Sequence, residues 1–85
     1  MQALSLCDIN LKECAEVIEI DKNCPLRRRF FDIGLTPGAQ VLLLGKSPLG
    51  DPAAYLIRGA VYAIRRADAK YIKVKRLEAE YGTDK

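Results

Sequence analysis

Proline and glycine recur so densely between residues 25 and 59 that no long regular element fits there: Pro25, Gly34, Pro37, Gly38, Gly45, Pro48, Gly50, Pro52 and Gly59 cut this part of the chain into short pieces. Proline removes an amide donor and fixes φ, and glycine admits backbone conformations that other residues avoid, so each marks a turn or an element end. The pieces left between them have the length of strands rather than of helices.

"LKECAEVIEI" is rich in β-branched and alternating residues and predicts a strand from about Cys14 to Ile20. Asp21, Lys22 and Asn23 then turn the chain. In "CPLRRRFFDIGL", Pro25 suits a first helical turn, Asn23 can cap it, and Gly34 is the residue expected just past a helix end. Leu26, Phe30 and Ile33 fall at i, i+4 and i+7, which predicts one buried helix face and leaves Arg27, Arg28 and Asp32 toward water. Pro37 and Gly38 are placed for the centre of a tight turn. Val41 to Lys46 reads as a strand, and "AYLIR" and "VYAIRR" read as a hairpin across Gly59 and Ala60. "ADAK" fits a single helical turn. "YIKVKR" alternates Ile72 and Val74 against Lys73 and Lys75, as a half-buried closing strand does.

Short strands in so small a chain favour closure, because a closed sheet has no long edges left to aggregate. The expected fold is mainly β: a small SH3-like barrel of about five strands, with one short helix inserted after the first long strand. A single domain over residues 1–76 is expected, followed by a polar tail over 77–85.

Eighty-five residues bury only about 60% of their potential surface, so a large internal active site is not expected. The longest continuous apolar runs, such as Ala53 to Ile57, are far short of the roughly 18 residues that cross a bilayer. "MQALSLC" has no basic stretch followed by an apolar one, so nothing marks export and a cytoplasmic location is expected. The net charge of +3 concentrates in Arg27, Arg28 and Arg29 and in the segment from Arg58 to Arg76. Such basicity suits nucleic acid, anionic lipid or an acidic protein face, and its modest size favours none of them strongly.

Catalysis finds no support. Histidine is absent, no serine or cysteine has an activating neighbour, and the carboxylates are single apart from Glu13, Glu16 and Glu19 near the first long strand. Cys7, Cys14 and Cys24 have no zinc-site spacing; they read as small apolar residues or, alternatively, as part of a thiolate metal site. Gly45, Lys46 and Ser47 look like the start of a phosphate loop. That loop needs a glycine where Gln40 stands and a helix where Pro48, Gly50 and Pro52 follow. The triplet therefore reads as a strand end.

Two motifs remain. Three successive arginines fan out by about 100° each on a helix, so they cannot converge on one ligand. They are solvated side chains or partner contacts. "PLGDP" is a stiff loop that either only turns the chain or displays Leu49 as an apolar anchor at little ordering entropy.

"LRRRFFDIGLTPGAQV", "SPLGDPAAYLIRG" and "YAIRRADAKYIKV", in that order, resemble the FeoA family, the small accessory proteins of bacterial ferrous-iron uptake. The resemblance runs from about Ile9 to Val74. It departs where the family often has Pro-Gly and this chain has Leu11 and Lys12. It implies an SH3-like barrel acting beside a membrane ferrous-iron transporter that carries a cytoplasmic GTP-binding domain. The implied function is a non-enzymatic adaptor docking on that domain, without nucleic acid and without membrane insertion; self-association is compatible with it. The alternative is a small iron-binding or iron-sensing protein that contacts Fe(II) directly. No catalytic, cofactor or metal residues are assigned, and the expected partner contacts are Arg27, Arg28, Leu49 and Asp51.

Overall fold

Apolar alternation decides which side of each strand faces inward. In the computed structural model, which describes residues 4–78, the alternating segments become β2 (Cys14–Ile20), β3 (Gln40–Lys46), β4 (Ala53–Ile57), β5 (Ala60–Ile64) and β6 (Ile72–Leu77). A two-residue strand, β1 (Leu4–Ser5), precedes them and leads into a 3-10 turn at Leu6–Asp8. The helices are α1 (Arg27–Asp32) and α2 (Arg66–Ala69). All pairings are antiparallel, in the order β1-β6-β2-β3-β4-β5.

Val17 and Ile20 of β2, Val41 and Leu43 of β3, Tyr55 and Ile57 of β4, and Ile72 and Val74 of β6 meet in one core. Leu6, Ile9, Phe30 and Leu35 close its ends. The curl that brings the ends of the sheet together comes partly from two irregularities, one between Val17 and Glu19 and one between Leu43 and Gly45, where an extra residue bends the strand. The two strands at the ends of the sheet, β1 and β5, do not pair. Side chains and turns bridge them: Ser5 Oγ donates to Lys70 O at 2.9 Å, Arg66 Nη1 to Cys7 O at 3.4 Å and the Tyr55 hydroxyl to Leu6 O at 3.5 Å. This is the mainly β SH3-like barrel expected, with six strands because the two-residue β1 is too short to leave a sequence signal.

The helix begins later than its sequence suggests. Asn23 does not cap it; its own N–H donates to Asp21 Oδ1 at 2.8 Å, and a turn through Pro25 delays α1 until Arg27. Its end is as expected. Gly34 has φ 103°, its N–H donates to Phe31 O and the next N–H, of Leu35, to Phe30 O, so two carbonyls of the last turn are satisfied. Thr36–Ala39 then forms the tight turn, closed by Ala39 N–H to Thr36 O at 2.9 Å.

The hairpin turn is Arg58-Gly59, one residue earlier than the Gly59-Ala60 that the sequence suggests. Arg58 has φ 51° and Gly59 φ 86°, the pair of left-handed conformations that a two-residue hairpin turn takes. Glu13, Glu16 and Glu19 are not isolated: they face Arg76, Lys75 and Lys73 of β6 at 3.1, 3.9 and 3.4 Å. Solvent screens these pairs, so each contributes little to stability, and they neutralise this part of the surface. Among the described residues no helix is long and apolar enough to cross a membrane. Of the polar tail expected from residue 77, Leu77 closes β6, and residues 79–85 lie outside the described residues.

Candidate functional site

The Ser47–Pro52 loop is held at its base and turned at its tip. Ser47 N–H donates to Pro52 O at 3.1 Å and Gly50 N–H to Ser47 O at 2.7 Å. The loop's third residue, Leu49, is 95% exposed. Gly45-Lys46-Ser47 is accordingly a strand end and a turn, with no helix behind it. Asp51 ties the loop to the first residue of α2, because its Oδ1 accepts the Arg66 N–H at 2.8 Å.

Arg27 is less free than a solvated side chain. Its Nε donates to Ile20 O at 3.3 Å and its guanidinium lies 4.7 Å from the Phe31 ring centroid. Arg28 is exposed and makes no hydrogen bond or ion pair among the described residues. The expected contact residues thus fall into two groups, Arg27 with Arg28 on α1 and Leu49 with Asp51 on the loop. No hydrogen bond or ion pair joins the groups among the described residues.

The predicted helix face divides in a way that matters for binding. Phe30 is 3% exposed and belongs to the core, whereas Leu26 is 36% exposed and Ile33 only partly buried. The face does not seal against the barrel because α1 stands beside β5, the end strand of the sheet. Leu26, Arg29, Phe30 and Ile33 form one wall of an open groove of about 410 Å³, and residues 61–65 with Asp68 form the other. Sequence reading missed this groove. Its signal was Arg29 at i+3 within the apolar face, a charge that a sealed face would not carry.

Burial shifts Tyr55, Cys7 and Cys24 toward their neutral forms. A small cavity of about 20 Å³, lined in part by Cys7, Asp51, Tyr55 and Arg66, has room for about one water. Burial, helped by Cys7 nearby, pushes the Tyr55 phenol up to about 12. Burial also raises the Cys7 thiol, with Asp8 adding to it, and raises Cys24. Neither position favours the thiolate that a nucleophile or a metal ligand requires. Among the described residues no three His, Cys, Asp or Glu side chains come together as a metal-holding group.

No curated protein matches the chain in sequence. Solved structures do. A FeoA-like protein from Clostridium acetobutylicum is 29% identical, with a TM-score of 0.85 over 100% of this chain and 99% of that one. A FeoA protein from Chlorobium tepidum is 33% identical, with a TM-score of 0.81 over 93% of this chain and 75% of that one. Stenotrophomonas maltophilia FeoA, solved with zinc, is 26% identical with a TM-score of 0.76, covering 86% of this chain and 91% of its own. It is described as an SH3 domain protein proposed to act as a ferrous iron transport activating factor. The FeoA domain matches residues 4–76, nearly all of the barrel described above. With its strands, its inserted helix and its proline-stiffened loop all inside that match, the chain belongs to the FeoA family, the small SH3-like proteins associated with ferrous iron transport.

Proposed function

We propose that this protein is a non-enzymatic, cytoplasmic accessory of ferrous iron uptake that docks on the GTP-binding part of the membrane ferrous-iron transporter. The observation that carries the reading is Leu49: an apolar side chain left 95% exposed on a loop whose base and flank are fixed by hydrogen bonds. A preordered apolar anchor loses little entropy when it is buried by a partner, and its desolvation is favourable. Arg28 supports the same reading as a cation that holds nothing in place among the described residues. The role asked of the chain is protein contact, and nucleotide chemistry belongs to the partner.

Arg28→Glu and Leu49→Asp test this. Both sites are exposed, so melting should stay within about 0.5 kcal/mol of wild type in stability. Pull-down of the transporter and Fe(II) uptake in cells lacking the native protein should both fall, with Leu49→Asp the more severe. If both variants fold, bind and restore uptake like wild type, the loop and Arg28 are not the docking surface. An anaerobic Fe(II) titration of the wild-type chain with a defined stoichiometry would instead favour direct contact with the metal.

A further inference from the structure

The two ends of the sheet are protected very differently. β1 is two residues long and offers almost no edge. β5, Ala60–Ile64, reads "AVYAI": five residues with neither a charge nor a proline within the strand to stop its edge from pairing. A two-residue turn leaves the Ile57–Ala60 pair hydrogen-bonded, and the antiparallel ladder alternates from there. Ala60, Tyr62 and Ile64 therefore spend their backbone groups on β4, while Val61 and Ala63 direct theirs outward.

That outward edge opens into the groove beside α1. Five consecutive residues, 61–65, line it. A groove on one face of a strand would be lined by alternate residues, so consecutive lining identifies the edge itself. Opposite stands the apolar stripe of Leu26, Phe30 and Ile33, and Val61 is 58% exposed at the mouth. The helix roofs the edge, so the space is a slot for one extended chain rather than an open platform for another sheet.

Charge decides what kind of chain. Arg29 and Arg65 line the slot against a single carboxylate, Asp68, and Arg58 and Arg66 flank β5 at its two ends. A second copy is the wrong occupant. Antiparallel self-pairing centred on Tyr62 brings each copy's Arg58 end beside the other's Arg65 and Arg66, and like charge gathered at both ends opposes it.

We infer that the slot between α1 and β5 receives an extended acidic segment of a protein partner, which pairs with the backbone of Val61 and Ala63 as a further strand. The segment's alternate apolar side chains lie on the Leu26–Phe30–Ile33 stripe and its carboxylates meet Arg29 and Arg65. This deepens, and rests on, the accessory reading above, and it places a second contact away from Leu49.

The experiment follows amide exchange of Val61 and Ala63 by NMR in the full chain, alone and with two octapeptides, EEVTVTEE and KKVTVTKK, and measures capture of the detergent-solubilised transporter in parallel. The acidic peptide should slow exchange at both amides and the basic one should not. Ala63→Pro removes only an outward N–H, and Arg65→Glu reverses the slot's charge; each should weaken peptide binding and transporter capture by about tenfold or more with melting near wild type. If Ala63→Pro fails to fold, Arg65→Glu and the peptide pair still decide. Equal binding of the two peptides, or no protection at millimolar acidic peptide, overturns the slot. Protection of both amides in the chain alone, together with a dimeric mass, assigns the edge to a second copy and overturns it too. Transporter captured equally by wild type and both variants, with the amides unprotected, removes the slot and leaves the accessory reading intact. Peptide protection without any transporter capture by wild type does the reverse.

Discussion

Arg58 lies across Gly34. Its Nε donates to Gly34 O at 3.2 Å, its Nη2 donates to Thr36 Oγ1 at 3.1 Å, and its Cγ and Cδ stand 2.8 Å from where a Cβ on Gly34 would be. Gly34 also has φ 103°. A side chain there meets both backbone strain, about 1–2 kcal/mol, and a neighbour that must move away from its hydrogen bonds. Gly34→Ala should therefore destabilise more than the strain alone. In an Arg58→Ala background its cost should shrink to the strain, giving a coupling of about 0.5 kcal/mol or more in urea unfolding. Strict additivity would mean that Arg58 swings aside freely.

Phe30 and Leu26 share a helix face but not an environment. Phe30→Ala empties a core position and should cost about 3–5 kcal/mol, a large share of what holds so small a domain together. Leu26→Ala removes a groove wall and should cost about 1 kcal/mol. Denaturant midpoints of the two variants give the comparison. Similar losses would mean that the groove closes in solution.

Asp51 holds two elements together through one oxygen. Asp51→Ala removes the acceptor of the Arg66 N–H and should cost about 0.5–2 kcal/mol, as other losses at a helix start do. Exchange at the Arg66 amide should accelerate. Asp51→Asn keeps an acceptor oxygen and should retain most of the protection.

Glu13 makes the acid limb of stability. The Asn10 N–H donates to its Oε1, and Arg76 beside it acts in the same direction, so its carboxyl titrates below the usual carboxylate range. A depressed folded value means a contribution present above the unfolded pKa and lost as pH falls through the folded one. Thermal melts of wild type should decline on acidification more steeply than those of Glu13→Gln.

Tyr55 acts at the opposite end of the scale. Burial raises its phenol to about 12, so the contribution is complete below the ordinary value of 10.0 and is lost as pH rises through about 12. Absorbance titration should show one of the chain's four tyrosines ionising late, or only as the fold gives way. Tyr55→Phe should abolish the lagging step.

Sequence reading succeeded where a residue's fate depends on its neighbours along the chain. Alternation fixed β2 at Cys14–Ile20, and Gly34 marked the helix end because the residue just past the last turn takes φ above zero. It failed where the deciding partner is distant. Asn23 is a local exception, since its N–H turns onto Asp21 two residues before it, whereas Leu26 and Ile33 remained half-covered because α1 sits at the end of the sheet, which periodicity cannot tell. Leu49 was legible as a displayed side chain, since two prolines and a glycine left it nowhere to fold. Asp51 was not, because its partner, Arg66, lies fifteen residues further on.

The irregularity in β2 bears on how this chain can change in length. Ile18 is the residue left without an opposite number in the pairing with β6, and it is 42% exposed. On either side, Ala15, Val17 and Ile20 face the core, while Glu16 and Glu19 meet Lys75 and Lys73 outside. Without Ile18, the remaining order Ala15, Glu16, Val17, Glu19, Ile20 alternates perfectly, and every side chain keeps its present side. A shorter relative could therefore omit this residue without rewriting the core, and would differ only in how tightly its sheet curls.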